Sequence, residues 1–164
     1  MPGRAMDGMT PQLGRYKIDS GSITFGTRHL FGLAPVRGTF AIRSGTVDVA
    51  EPIADSRVEV EIDAGSCHTG NDRRDDSVRS ARLLDTDRFP VMTFRANGSL
   101  EGTLTVRDVT WPVALTVERT EVGPGSFTVV ATTRVDRTEF GVTAYRGLAA
   151  RHLDVRVEVT CLRS

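Results

Sequence analysis

From Tyr16 onward the chain alternates apolar and polar residues with a period of two, the pattern of strands that bury one face and wet the other. In "RVEVEID", Val58, Val60 and Ile62 stand against Glu59, Glu61 and Asp63. In "LDVRVEVTC", Val155, Val157, Val159 and Cys161 stand against Asp154, Arg156, Glu158 and Thr160. The same alternation runs through "SITFGTRHL", "VRGTFAI", "FPVMTFRAN", "SLEGTLTVRD", "WPVALTVERTEV" and "SFTVVATTRVD". The spacing therefore predicts about eight antiparallel strands separated by turns that carry Gly, Pro or Asp.

One stretch breaks the alternation. "SCHTGNDRRDDSVRS" crowds a thiol, an imidazole, carboxylates and guanidiniums into one connection. Its continuation, "DDSVRSARLLDTDRFP", offers Asp75 or Asp76 as an N-cap, Val78, Ala81 and Leu84 near helical spacing, and Pro90 as a stop. A short helix of about two to three turns is predicted there. A single helix leaves most of a large sheet uncovered, so the apolar face has to fold on itself as a sandwich or, better for removing exposed edges, as an all-β antiparallel barrel. A barrel of about eight strands is wide enough either to be filled by side chains or to hold one small ligand.

Composition narrows the partners. At 164 residues the chain is the size of one domain; residues 1–14, rich in Gly, Pro and Met, read as a disordered tail, and 15–164 as the domain. Twenty-one basic residues balance twenty-one acidic ones, with no basic stripe that could track nucleic acid. No apolar run has the length of a signal peptide or of a membrane-spanning helix, so a soluble cytoplasmic protein without stable membrane insertion is expected. The two cysteines, Cys67 and Cys161, form no paired metal-ligand spacing and are expected to be free thiols.

The order of certain residues is more specific than their composition. Thr69-Gly70-Asn71 followed by Arg74-Asp75, Phe89-Pro90 leading to Thr93-Phe94, the run "LTVRDVTWPV", and Arg137 ahead of Phe140-Gly141 follow one another as they do in the YceI-like family. The resemblance covers essentially residues 15–161. It implies an extended lipocalin-like barrel whose apolar pore holds a long-chain amphiphile, typically a polyisoprenoid, with no cofactor and no catalytic chemistry; it also implies a homodimer, the state of many barrels in the family. The chain departs from the family at Ser77, where a His is frequent, at Leu83 and Leu84, where an aromatic pair is frequent, and at Asp108, where a turn Gly is frequent.

Phe25, Phe40, Val60, Ile62, Phe94, Leu104, Leu115, Phe127 and Phe140 fall on the apolar phase of their strands. A dry core and a lipid tunnel need the same alternation, so period alone leaves both open; the resemblance favours these residues as the ligand-binding wall. Arg74 and Arg79 are candidates for an anionic head group, because a guanidinium suits phosphate bidentately, although Thr69, Asn71, Arg74 and Asp75 also suit a purely structural turn from strand to helix. Cys67, His68 and Asp72 raise a metal or nucleophile reading, but zinc needs three or four converging ligands and one adjacent Cys-His pair falls short. His29 and His152 near strand ends read as structural. Two alternatives to lipid binding stand beside it: a stress-related interaction protein with a filled barrel, acting through its surface or as a dimer, and an enzyme that acts on a hydrophobic substrate through His29 or His68.

Overall fold

The computed structural model describes residues 10–27, 35–144 and 150–164. Strands β1 (Gly14–Gly26), β2 (Arg37–Val49) and β3 (Arg57–His68) lead into helix α1 (Asp72–Arg79). Strands β4 (Val91–Asn97), β5 (Glu101–Val106), β6 (Val109–Ala114), β7 (Thr116–Gly123), β8 (Ser126–Asp136) and β9 (His152–Arg163) follow. They form one curled antiparallel half-barrel in the order β6-β5-β4-β3-β2-β1-β9-β8-β7.

The count is nine strands and not eight, because "WPVALTVERTEV" is divided. Residues Val109–Ala114 pair with β5, whereas Thr116–Gly123 pair with β8. Leu115 between them leaves both ladders and donates its N–H to the Leu100 carbonyl at 2.9 Å. The two ends of the sheet are thus consecutive pieces of one run of chain. Above the break, the Thr133 hydroxyl donates to the Ala114 carbonyl at 2.9 Å and bridges β8 to β6. Side-chain alternation passes through a change of hydrogen-bonding partner unaltered, which is why a single strand is read there from sequence.

The helix starts earlier than Asp75 or Asp76 and ends sooner. Asn71 is the N-cap, its side-chain oxygen accepting the Arg74 N–H at 3.0 Å, the role for which a short polar side chain is favoured. Ser80 ends the helix in extended conformation, its N–H donating to the Ser77 carbonyl. Leu83 and Leu84 lie beyond it in a turn and pack on the main core cluster, which contains Ile23, Ile62, Met92, Val106 and Phe140. A second cluster, Tyr16, Val49, Val122, Phe127 and Cys161, fills the opposite end. There the Tyr16 and Phe127 rings meet edge to face with centroids 4.8 Å apart.

Strand register defines the two ends of the half-barrel. Gly14 pairs with Val49, Tyr16 with Arg163 and Asp48 with Arg57 at one end. Gly26 pairs with Arg37, Thr39 with His68 and Asp136 with His152 at the other, where α1 is attached. Gly38 is required near this second end: it lies opposite Phe25, and a Cβ there would collide with the Phe25 ring. The missing side chain lets that ring lie across the strand and meet Phe40, with centroids 5.4 Å apart.

Candidate functional site

The inner face of the sheet encloses a cavity of about 1240 Å³. The strand alternation builds its wall directly, since residues two apart share a face. Phe25, Phe40, Val60, Ile62, Phe94, Leu104, Leu115, Phe127 and Phe140 all line it. Ile62, Phe94, Phe127 and Phe140 are buried, and the others are half-buried. Close-packed interiors contain few voids larger than a water molecule, so this volume sets the barrel apart from a filled one. It exceeds the roughly 300–1,000 Å³ typical of small-molecule pockets.

The connection between β3 and α1 is held by its own side chains. The Asp75 carboxylate, 2% exposed, accepts the Thr69 N–H at 3.0 and 3.2 Å and the Thr69 hydroxyl at 2.5 Å. Those bonds from Thr69 hold the Asp75 carboxyl below its ordinary range, against the opposing effect of burial. Arg74 lines the cavity and donates Nε to Thr69 Oγ1 at 2.9 Å. Arg79 is turned away from the cavity lining and toward β3: its Nε reaches the Gly65 carbonyl and its Nη2 the Cys67 carbonyl, both at 3.0 Å. It staples the helix to the strand.

Cys67 and His68 are adjacent in sequence and separated by the pleat. Cys67 is fully buried in the cavity wall, whereas the His68 side chain is 70% exposed, with Nδ1 3.7 Å from Asp75. Consecutive strand residues point to opposite faces, so the thiol and the imidazole do not converge. Burial pushes the Cys67 thiol up to about 11, with Asp75 adding to the effect, and burial pushes Cys161 up to about 12. Neither is a poised nucleophile. Among the described residues no group of three or more His, Cys, Asp or Glu could hold a metal ion. His152 begins β9 with Nε2 3.8 Å from Asp136; His29 lies outside the described residues.

Sequence reasoning missed three of the arginines at the cavity rim: Arg73, Arg137 and Arg151. Arg137 donates Nε to the Ala150 carbonyl and Nη1 to the Val142 carbonyl, both at 2.8 Å, tying Val142 to Ala150. Arg151 donates to Asp136 at 2.8 Å. Burial opposes ionisation of Asp136, but hydrogen bonds from Thr138 and Arg151 outweigh it and bring the carboxyl below its ordinary range. Arg137 stands out in sequence as part of a motif, but no local signal shows that it and Arg73, so distant along the chain, reach one rim.

Residues 16–161 match the family pattern of the YceI-like domain. A UPF0312 protein of Vibrio parahaemolyticus is 30% identical over 168 residues, spanning 90% of this chain and 87% of that protein. A UPF0312 protein of Shewanella baltica is 32% identical over 158 residues, spanning 87% and 82%. Among solved structures, a polyisoprenoid-binding domain from Saccharophagus degradans superposes with a TM-score of 0.74 at 15% identity, covering 93% of this chain and all of that domain. Burkholderia cenocepacia BcnA superposes at 0.67 with 18% identity, covering 85% of this chain and 95% of that one. These likenesses establish the fold. No helix among the described residues is long and apolar enough to cross a membrane.

Proposed function

Because the chain belongs to the YceI-like family, we propose that it binds one long-chain amphiphilic lipid, of the polyisoprenoid class, in the barrel cavity, for sequestration or transport and without catalysis. The observation that carries this reading is an apolar cavity of about 1240 Å³ walled by the inward phase of the strands. Each buried methylene contributes on the order of 0.8 kcal/mol, so a long chain gains substantial affinity before ordering costs are subtracted. The Saccharophagus degradans neighbour, described as a polyisoprenoid-binding domain, supports the ligand class. The unpaired, buried thiols of Cys67 and Cys161 suit a reducing compartment such as the cytoplasm.

Organic extraction of the purified protein, with mass spectrometry of the extract and native mass spectrometry of the intact sample, tests the proposal. A stoichiometric long-chain species is expected. A clean apo mass that takes up no prenyl lipid on addition overturns it and moves the search to the outer surface.

A further inference from the structure

We infer that the α1 end of the cavity recognises an anionic head group, phosphate or carboxylate, with Arg73 as its principal contact and Arg74 beside it. The inference rests on the lipid-cavity reading above and names the class of amphiphile that the cavity takes.

The first observation is a segregation of charge. Acidic and basic residues balance over the whole chain, yet the charged residues lining the cavity are Arg73, Arg74, Arg137 and Arg151, with no Asp, Glu, Lys or His among the described lining residues. All four lie at one end. Arg73 and Arg74 are on α1, which follows the last residue of β3, and Arg137 and Arg151 flank the paired Asp136 and His152 where β8 ends and β9 begins. The opposite end is packed by the Tyr16 and Phe127 cluster. An amphiphile in this cavity therefore meets apolar wall along its length and cationic groups only at the α1 rim.

The second observation is how these cations are used. Arg151 is neutralised by Asp136, and Arg137 is held by two backbone carbonyls. Of the three carboxylates on α1, Asp75 is turned inward and committed to Thr69, while Asp72 and Asp76 are exposed, Asp76 pairing with Arg79. Arg74 is oriented by Thr69 and makes no ion pair among the described residues. Arg73 is exposed at the rim and has no hydrogen-bond or ion-pair partner among the described residues. A guanidinium offers five donors in a planar fork that matches phosphate and carboxylate oxygens. Arg73 holds that fork at the mouth of a lipid-sized cavity with nothing among the described residues to fill it.

The test uses delipidated full-length protein and four probes: geranylgeranyl monophosphate, geranylgeraniol, palmitate and hexadecanol. Wild type is expected to bind each anion about tenfold more tightly than its alcohol, the size of one charge-assisted hydrogen-bonded contact. In Arg73→Gln most of that preference disappears while the alcohols bind as before, and Arg73→Glu reverses it; thermal melts check that both variants fold. Preference for the phosphate alone, lost with Arg73, supports the inference and restricts the head group to phosphate. Equal binding of anion and alcohol by wild type, or an unchanged preference in Arg73→Gln, overturns the inference and leaves the lipid cavity standing. Binding of none of the four probes overturns the cavity reading and the inference with it.

Discussion

Thr69 and Asp75 close a small ring at the start of α1, in which the buried carboxylate of one accepts both the backbone N–H and the hydroxyl of the other. The ring fixes how the chain turns from β3 into the helix, and so where Arg73 and Arg74 stand relative to the cavity. Because these bonds lower the Asp75 carboxyl below its unfolded value, they stabilise the fold fully above the unfolded value, about 4, and that contribution is lost as pH falls through the folded value. Wild type should lose stability in acid, and Asp75→Asn should have a melting temperature several degrees lower at neutral pH with a shallower acid loss. Melts of the two proteins from pH 7 down to pH 3 check this. Equal acid sensitivity in the variant would show that another carboxylate is responsible.

The cavity wall predicts a separation of binding from folding at Leu104. This residue is half-buried on β5, paired with Phe94 on one side and Trp111 on the other, and it lines the cavity. Leu104→Lys places an ammonium in the apolar space, where a long chain cannot solvate it. The variant should fold, because a lysine can extend its stem through the empty volume, and should carry no extractable lipid. Native mass spectrometry together with far-UV circular dichroism reads both. A folded variant with a full complement of lipid would remove Leu104 from the wall.

What was legible in the sequence follows from which interactions are local. Alternation along one strand placed Val60, Ile62, Phe94 and Leu104 on the inner face, since the pleat fixes that relation within a few residues. The break at Leu115 was not legible, because the strand changes partner without changing phase. Residue type suits Asp75 or Asp76 to the N-cap and Asn71 to the turn; the fold gives the cap to Asn71 because Asp75 turns back to Thr69, a contact set by the fold of the turn. Convergence of Arg73 with Arg137 and Arg151 depends on the whole curl of the sheet, and no window of sequence contains it.

The thiols give a reactivity prediction with a defined sign. Cys67 and Cys161 are fully buried, and burial raises them to about 11 and about 12. At pH 8 both should be overwhelmingly protonated and inert to a thiol-specific reagent in the native protein, and both should react within the mixing time in denaturant. Because both line the cavity, any slow native labelling should fall further when lipid is bound. Rapid labelling of native protein at pH 8 would contradict the burial of these walls.

At the end away from α1 the plug around Tyr16 should set both stability and the length of the cavity. The Tyr16 hydroxyl donates to the Gln12 carbonyl at 2.9 Å, Arg163 lies over the ring at 5.7 Å from its centroid, and Phe127 packs edge to face against it. Tyr16→Phe removes only the hydroxyl's two contacts, the bond it donates to Gln12 and the one it accepts from Arg163 Nη1 at 3.3 Å, and should cost about 1–2 kcal/mol. Tyr16→Ala removes the ring from a site 1% exposed and should cost about 3–5 kcal/mol. It also extends the cavity toward solvent, because Phe127 and Cys161, its neighbours in the plug, already line the cavity. If the plug limits chain length, Tyr16→Ala should accept longer prenyl chains than wild type, while Tyr16→Phe should keep the wild-type cutoff. Denaturant titrations give the stability differences, and competition among prenyl alcohols of increasing length gives the cutoff; an unchanged cutoff in a folded Tyr16→Ala protein would show that the chain stops short of this cluster.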